Sequence, residues 1–261
     1  MLLKEYLKSS LVKLARSRAY ELVPVWALDR QPLVKHLKAI FKRYEVDCVF
    51  DVGGNLGQYH DLLRQDVGFE GWILSFEPVA KYVKILQGKS VSDVKWRIFD
   101  FALGSTDDVT PINVTKSPGL NSFLEPRTDV VQDFWSADEV IGIEEVRIRV
   151  LDGIFQSLRD EFGFSSPYLK LDTQGFDLEV LKGTVQSLPI FRALQTEASI
   201  KPLYQEMPDY RDVIVHLAGA GFELSGMFPV THDEALRLIE FDCVMINRLF
   251  TMNQSPPGRT S

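Results

Sequence analysis

The most constraining feature of this sequence is an apolar run that ends in an acidic residue and opens into three glycines. It covers residues 48–59 and reads CVFDVGGNLGQY. Glycines let backbone N–H groups approach a ligand closely, and a helix that follows such a loop presents its positive end to that ligand. The stretch therefore predicts a buried strand, a loop that holds a nucleotide-type cofactor, and a helix.

Strand and helix patterns alternate along most of the chain. Apolar runs of strand length lie at 48–52, 72–76, 94–99, 168–171 and 193–196, and helical patterns lie at 32–44, 56–66, 79–87, 176–188 and 209–220. Such alternation with short connections is typical of a parallel sheet covered by helices on both faces. Two terminal strands, 222–227 and 243–247, are expected to pair antiparallel. We therefore predict an α/β fold built as a three-layer sandwich.

The region 105–150 is less regular than the rest. Residues 111–115 and 146–151 have strand patterns, and Asp152 is predicted to cap a helix that ends near residue 162. Residues 116–127 are rich in turn formers and predict a loop. Within it, residues 117–123 are predicted to form a lid, with Asn121 or Ser122 in contact with the cofactor or the acceptor and Ser122 as our choice for the cofactor. A plain surface loop is the alternative.

The two ends of the chain differ from this central pattern. Residues 1–45 are predicted to form a helical extension that begins with a basic amphipathic helix over 1–18. This helix would pack on the domain or on a second subunit, giving a homodimer, or would make peripheral contact with an anionic membrane. Residues 46–249 form the main domain, and the polar tail 250–261 is expected to be disordered.

Composition and charge exclude several functional classes. The formal net charge of −7 argues against a nucleic-acid partner, which would require a basic face. The sequence contains no run of about 18 apolar residues that would predict a membrane-spanning helix. Lysines interrupt the first apolar residues, which argues against a secretory signal, so we expect a cytoplasmic protein. The two cysteines, Cys48 and Cys243, are predicted to be buried thiols.

The glycine loop does not match the common dinucleotide-binding motif. A G-x-G-x-x-G motif that starts at Gly53 needs glycines at positions 55 and 58, where Asn55 and Gln58 stand. What remains is an acidic residue in the first strand, Asp51, glycines on either side of an asparagine, and a second acidic residue, Glu77, at the end of the next strand. This pattern calls for a different cofactor.

Acidic residues near three strand ends describe that cofactor, because ligands of open α/β sheets bind at the carboxyl ends of the strands. Glu77 would accept hydrogen bonds from both hydroxyls of a ribose. Asp100 would accept one from an adenine amino group, with Phe101 and Ala102 against the base. Asp51 would attract an ammonium or sulfonium group. A ribose, an adenine and a cation without phosphates fit S-adenosylmethionine better than NAD.

Four sequence blocks resemble the FkbM-type methyltransferases. They are FDVGGNLGQY at 50–59, FEP at 76–78, ALG at 102–104 and LKLDTQGFD at 169–177, the last followed by VLKG at 180–183. The resemblance implies a class I (Rossmann-like) methyltransferase fold with a mostly parallel seven-stranded sheet, in the order 3-2-1-4-5-7-6 with strand 7 antiparallel. It also implies an S-adenosylmethionine-dependent O-methyltransferase that acts on a sugar or secondary-metabolite hydroxyl. The expected cofactor-binding residues are Asp51, Gly53, Asn55, Gly57, Tyr59, Glu77, Pro78, Asp100, Phe101, Ala102 and Ser122.

Methyl transfer to a hydroxyl requires in-line alignment and a group that helps to remove the proton. Asp172 is our first choice for this base or for a polar group that orients the acceptor. Its structural alternative is to cap the next helix or to fix the loop at Gln174 and Gly175. Glu197 and His60 are the other catalytic candidates. Asp172 and Glu197 could together hold Mg²⁺ through carboxylate oxygens, although no metal is expected. Gln174 stands where the family often has a glutamate, so one carboxylate is missing near this centre.

Two other functional classes remain open at this point. An NAD-type oxidoreductase would share the fold, but the loop lacks the glycines that it needs. A non-catalytic module for cofactor binding or protein interaction would not need acidic residues at all the strand ends. The acceptor is predicted to be a small molecule or a glycoside, and its pocket would come from the irregular region 105–150.

Overall fold

The computed structural model describes Tyr20 and residues 23–127 and 139–251. The strands among them are β1 (Cys48–Val52), β2 (Trp72–Phe76), β3 (Trp96–Phe99), β4 (Ala102–Leu103), β5 (Asp108–Thr115), β6 (Val140–Arg149), β7 (Pro167–Leu171), β8 (Ala193–Ser199), β9 (Phe222–His232) and β10 (Leu238–Asn247). The helices are α1 (Gln31–Arg43), α2 (Gln58–Asp61), α3 (Ala80–Ser90), α4 (Leu151–Phe162), α5 (Asp177–Lys182) and α6 (Tyr210–Gly219). The helix predicted over 1–18 and nearly all of the predicted tail lie outside the described residues.

Seven of the described strands form one sheet in the order β3-β2-β1-β7-β8-β10-β9. The pairs from β3 to β8 are parallel, whereas β10 pairs antiparallel with both β8 and β9. Counted along the chain without the strands of a smaller sheet, this order is 3-2-1-4-5-7-6. The predicted class I order and its antiparallel strand 7 are therefore confirmed.

Helices cover both faces of this sheet because its central strands are buried on both faces, as their nearly continuous apolar runs predict. On one face α1 and α3 contribute Leu37 and Leu86 to the core. On the other face α4 and α6 contribute Phe155 and Leu217 to a second core cluster. The predicted three-layer arrangement is present. None of the helices that the structure describes is long and apolar enough to cross a membrane.

A smaller sheet with the order β4-β6-β5 lies within the region where the sequence pattern was irregular. β5 contains the strand pattern predicted at 111–115. β6 overlaps the one predicted at 146–151, but it begins earlier, at Val140, and ends at Arg149. The predicted cap at Asp152 is wrong. Asp152 lies inside the first turn of α4, and its carboxylate accepts hydrogen bonds from the backbone N–H groups of Gln186 and Ser187 at 2.8 Å each.

Local backbone geometry moves several boundaries away from the predicted ones. The helix after β1 begins at Gln58, because Gly57 adopts a left-handed conformation with φ of 83°, and it continues as a π-helix over Leu62–Val67. β8 continues to Ser199, so Glu197 lies inside the strand instead of at its end. The helix predicted over 176–188 is shorter in the structure, where α5 covers only Asp177–Lys182.

Candidate active site

A cavity of about 480 Å³ lies at the carboxyl ends of β1, β2, β7 and β8, the edge where ligands of such sheets bind. β10 begins at this same edge because it runs antiparallel to β8. One end of the cavity is lined by Glu77 and Ala102, and the other by Glu197, Glu240 and Asp242. This volume is within the range of roughly 300–1,000 Å³ that is usual for small-molecule sites.

The glycine loop after β1 forms one wall of the cavity, and protein contacts explain its glycines. The backbone N–H of Gly53 donates to the carbonyl of Phe76 at 3.0 Å. A Cβ on Gly53 would lie 2.0 Å from the carbonyl oxygen of Asp172, and a Cβ on Gly57 would lie 2.9 Å from the ring of Trp96. Both glycines also have positive φ. The loop can therefore approach β7 and β3 only with glycine at these positions.

Glu77 presents a buried carboxylate at the end of β2. Its Oε2 accepts a hydrogen bond from the N–H of Asn55 and its Oε1 accepts one from the N–H of Val79, both at 2.8 Å. Burial raises the pKa of Glu77 to about 7, although the two backbone hydrogen bonds act to lower it. Each oxygen retains a further lone pair, so this carboxylate can accept hydrogen bonds from two neighbouring hydroxyls of a ligand.

Lys170 is a buried cation between two carboxylates. Its Nζ lies 3.1 Å from Oδ1 of Asp51 and 3.3 Å from Oδ2 of Asp172, and it donates to the carbonyl of Gly53 at 3.3 Å. Burial alone would lower the pKa of Lys170, but the charges of Asp172 and Asp51 raise it above its usual value. Asp51 also accepts a hydrogen bond from Ser75 Oγ at 2.8 Å. Protein groups thus balance the charge of Asp51, which we had expected to face a cofactor cation.

Asp172 and Glu197 are joined by the side chain of Gln174. Its Nε2 donates to Oδ1 of Asp172 at 3.1 Å and to Oε2 of Glu197 at 2.8 Å. Burial, followed by the nearby charges of Asp172, Glu240 and Asp242, raises the pKa of Glu197 well above its ordinary value. The carboxylate of Asp172 contacts Gln174 and Lys170 instead of capping the following helix.

Two further carboxylates extend this end of the cavity onto β10. Ser199 Oγ donates to Oε1 of Glu240 at 3.0 Å, and Gln195 Nε2 donates to Oδ1 of Asp242 at 2.9 Å. Burial raises the pKa of Glu240 to about 7 and that of Asp242 to about 6, and in both cases the charge of Asp172 raises it further. This end of the cavity is therefore rich in hydrogen-bond acceptors and in sites that bind protons near neutral pH.

Comparison with protein families identifies the domain. A family model described as the methyltransferase FkbM domain matches residues 51–224, which is more than half of the chain. The chain belongs to the FkbM methyltransferase family. The matched region begins within β1 and includes Glu77, Asp172 and Glu197. The FkbM domain therefore contains both the glycine loop and the carboxylate pair of the cavity.

Solved structures similar to this FkbM protein are distant in sequence. An FkbM methyltransferase from Methylobacillus flagellatus KT has 14% identity and a TM-score of 0.48, over 77% of this chain and 44% of that one. Fibrillarin from Aeropyrum pernix, in complex with natively bound S-adenosyl-L-methionine, has 10% identity and a TM-score of 0.43, over 81% and 74% of the two chains. Magnesium protoporphyrin IX methyltransferase from Synechocystis PCC 6803, with bound SAM, has 12% identity and a TM-score of 0.44, over 87% and 85%. This chain thus spans less than half the length of the FkbM structure. Comparison with curated proteins gives no match.

Several residues predicted to bind the cofactor lie on the cavity of this FkbM domain, namely Gly53, Asn55, Tyr59, Glu77, Pro78 and Ala102. Others support its walls from behind. Gly57 is packed against Trp96, and Asp51 is bound to Lys170. Ser122 is buried, and its Oγ donates to the carbonyl of Gln174 at 2.7 Å. That Asp51, Gly57 and Ser122 bind the cofactor stays a prediction, and the contacts described for them are with protein groups.

His60, predicted as a catalytic candidate, points away from the cavity. Its ring stacks on that of Trp96, with the ring centroids 3.6 Å apart. Its Nε2 lies 2.9 Å from a carboxylate oxygen of Asp93, and its Nδ1 lies 3.1 Å from one of Asp61. Packing and hydrogen bonding thus use the whole imidazole, and we do not include His60 in the proposed chemistry.

Asp100 and Phe101 also lie apart from the residues that line the cavity. The side chain of Asp100 is 60% exposed and forms an ion pair with Arg147 at 2.9 Å. The ring of Phe101 packs against Phe76 and Phe99, with centroids 5.7 Å from each. Ala102, which was predicted to contact the base together with Phe101, lines the cavity with its neighbour Leu103.

Sequence reasoning missed the charged residues on the interior strands. Lys170 interrupts the apolar run of β7, and Glu240 and Asp242 alternate with buried Phe241 and Cys243 in β10. Charged residues inside an otherwise apolar strand are a detectable signal, because they are rarely buried unless they are paired or functional. Which partners they would find depends on strand order, which the residues alone do not specify.

Among the described residues, no group of three histidine, cysteine or acidic side chains is arranged to hold a metal ion. The Asp172–Glu197 pair, which was considered for Mg²⁺, has the amide nitrogen of Gln174 between its carboxylates. An N–H donor occupies the position where a shared cation would have to lie, so this pair does not fit a bridging metal.

Proposed function

We propose that this FkbM protein is an S-adenosylmethionine-dependent O-methyltransferase that acts on a hydroxyl of a sugar or secondary-metabolite acceptor. The observation that carries the proposal is the presence of two different kinds of carboxylate in one cavity. Glu77 lies at one end with lone pairs available to hydroxyl donors, and the Asp172–Glu197 pair lies at the other. The first suits a ribose, and the second suits a hydroxyl that must lose its proton.

The donor end of the cavity suits S-adenosylmethionine in charge and shape. Glu77 would hold the ribose hydroxyls, and the apolar surfaces of Ala102 and Leu103 would contact the adenine. The cofactor would supply a methyl group on a sulfonium, which is an electrophile without any help from a metal. Negative charge at the strand ends would favour this cation. The task that remains for the protein is to orient the acceptor and to accept its proton.

Glu197 is a better candidate for the proton acceptor than Asp172, which was the first choice from sequence. Asp172 is paired with the cation of Lys170, which already balances its negative charge, and its other oxygen accepts a hydrogen bond from Gln174. Gln174 uses only Oε2 of Glu197, so Oε1 can face an acceptor hydroxyl. Burial also raises the pKa of Glu197 well above its ordinary value, which strengthens its carboxylate as a base.

The acceptor end is polar enough for a molecule with several hydroxyls. Gln195, Thr231, Glu240 and Asp242 line it and provide acceptors and donors on three neighbouring strands, β8, β10 and β9. Apolar contacts come from the opposite side, where Leu33 and Leu62 face the same space. A sugar ring, with polar edges and apolar faces, would use both surfaces.

Calorimetric titration with S-adenosylhomocysteine tests the proposal. We expect saturable binding, weakened by at least about tenfold in Glu77→Ala, because hydrogen bonds to a charged group contribute roughly 1.5–3 kcal/mol each. The matched control is Glu161→Ala, which removes an exposed glutamate that forms an ion pair with Arg97 on the surface. Transfer of a labelled methyl group to a panel of glycosides would then test the acceptor class. Binding of NADH together with no response to S-adenosylhomocysteine would refute the proposal in favour of an oxidoreductase.

A further inference from the structure

Gln174 has an unusual backbone conformation for a residue that is not glycine. Its φ is 52°, in the left-handed region, and the next residue, Gly175, has a φ of 91°. Such a conformation costs about 1 kcal/mol or more and persists where surrounding contacts enforce it. Two of those contacts are described: Ser122 Oγ donates to the backbone carbonyl of Gln174, and Tyr204 OH donates to its side-chain Oε1 at 2.9 Å.

These contacts fix the direction of the side-chain amide. Tyr204 is buried, and its hydroxyl lies 2.9 Å from Oε1 of Gln174 and 3.2 Å from the carbonyl oxygen of Leu120. The shorter contact takes the single hydroxyl hydrogen and marks the oxygen side of the amide. The nitrogen therefore faces Asp172 and Glu197, which is the arrangement that ionised carboxylates require, since they can only accept hydrogen bonds. An amide turned the other way would bring its oxygen against two carboxylates and lose both bonds. Nε2 therefore donates one of its two hydrogens to Asp172 and the other to Glu197.

We propose that Gln174 is the positioning residue of this active site, holding Asp172 and Glu197 side by side while Tyr204 and Ser122 set its own orientation. The inference rests on the proposed function, because it assigns a purpose to the carboxylate pair. Two neighbouring carboxylates repel each other and would turn apart without a donor between them. With Gln174 in place, Lys170 and the amide each bind one oxygen of Asp172, and Glu197 keeps one oxygen for the acceptor.

The amide is essential to this arrangement, and the size of the side chain alone would not suffice. A glutamate at position 174 would remove both N–H donors and add a third negative charge beside Asp172 and Glu197. An alanine would remove the donors without adding charge. The two variants therefore separate the loss of the hydrogen bonds from the effect of an added charge. Tyr204→Phe removes the hydroxyl that donates to Oε1 of Gln174 and that also lies 3.2 Å from the carbonyl oxygen of Leu120, and it leaves Gln174 in place.

Titration of Glu197 by ¹³C NMR tests this role without any knowledge of the acceptor. The protein is labelled at glutamate Cδ, and Glu197→Gln identifies the signal of Glu197 by its disappearance. A hydrogen bond to the ionised carboxylate favours that form, so its loss raises the pKa. We expect the titration midpoint of Glu197 to move upward by about one pH unit in Gln174→Ala, by more in Gln174→Glu, and by less in Tyr204→Phe. Gln156→Ala, an exposed glutamine on α4 that bonds Asp160, should leave the midpoint unchanged.

A midpoint that is the same in wild type, Gln174→Ala and Tyr204→Phe would overturn the proposal, even if the variants are less stable to heat. If Gln174→Ala does not fold, Tyr204→Phe decides the question alone. The outcome is separate from that of the proposed function. S-adenosylhomocysteine binding with an unchanged midpoint would remove only the positioning role, and a shifted midpoint without such binding would remove only the methyltransferase assignment.

Discussion

Single charged side chains decide how the cavity is organised. Lys170 pairs with Asp51 and Asp172 and also contacts the carbonyl of Gly53, so one cation connects β7 to the glycine loop. Removing one partner of such a buried group leaves an uncompensated charge, which is far more costly than the loss of an exposed ion pair. Asp172 is therefore held in an ion pair with Lys170, and this pairing is the reason why the proposed function assigns the proton acceptor to Glu197.

His60 shows the opposite case, a titratable residue close to the loop in sequence that has a packing role. We expect His60→Ala to lower the free energy of unfolding by about 1–3 kcal/mol, because the stacked contact with Trp96 and the hydrogen bond to Asp93 are lost. The affinity for S-adenosylhomocysteine should stay within about twofold of wild type, since the imidazole points away from the cavity. Urea unfolding and calorimetric titration measure the two quantities. Loss of binding in a variant that is fully folded would show that His60 acts in the site.

At the scale of secondary-structure elements, the glycine loop packs so closely against the end of β7 that no side chain fits at Gly53. Gly53→Ala would combine a positive φ of 84° with a Cβ placed 2.0 Å from the carbonyl oxygen of Asp172. Gly68→Ala is a matched control, because Gly68 has a φ of 77° and open space around the added Cβ. We expect Gly68→Ala to cost about 1–2 kcal/mol of stability from backbone strain alone.

Gly53→Ala should cost clearly more than Gly68→Ala in urea unfolding, and it should also weaken S-adenosylhomocysteine binding, because the loop must move away from β7. The control should bind normally. Equal losses of stability in the two variants, with binding intact in both, would mean that the loop can relax without any effect on the site.

The secondary-structure elements differ in how well their bounds can be predicted from the sequence. β1 and β2 have the predicted bounds because a strand buried on both faces has a continuous apolar run with polar ends. The small sheet could not be predicted, since β4 has two residues and pairs with Ile148 and Arg149, far along the chain. The helix after β1 starts two residues late because Gly57 must adopt a left-handed conformation against Trp96, a contact that exists only in the folded protein.

The residues of the active site also divide into those that the sequence alone predicts and those that it does not. Glu77 could be predicted because its position at a strand end is visible in the sequence, and strand ends share one edge of a parallel sheet. The roles of Asp51 and Asp172 depend on Lys170, which is paired with Asp51 in register only once β1 and β7 are adjacent. Glu240 and Asp242 reach the cavity because β10 is antiparallel and begins at that edge. Long-range pairing therefore determined what local patterns could not.

At the scale of the whole molecule, the buried carboxyl groups make stability depend on pH. Burial raises the pKa values of Glu77 and Glu240 to about 7 and that of Asp242 to about 6, and it raises the pKa of Glu197 as well. The folded state therefore binds protons more tightly than the unfolded state between about pH 4 and pH 7. The stability that these protons contribute is fully present below the unfolded pKa values and is lost as pH rises through the folded ones. His36, whose pKa is lowered by burial, acts in the opposite direction. Asp93, Glu179, Asp209 and Asp233, whose pKa values are also lowered, do so as well, but only as pH falls through the ordinary carboxyl pKa values near about 4.

We therefore expect the urea midpoint of the ligand-free protein to be lower at about pH 8 than at about pH 5. The formal net charge of −7 also favours this direction through self-repulsion, so the decisive measurement is a comparison of variants. Glu240→Gln combined with Asp242→Asn should flatten the pH dependence, because two of the raised carboxyl groups are removed. Asp160→Asn combined with Glu161→Gln, which changes the net charge equally on the exposed side of α4, should leave the slope nearly unchanged. If both pairs flatten it to the same extent, net charge alone sets the pH dependence and the carboxyl groups of the cavity contribute nothing specific.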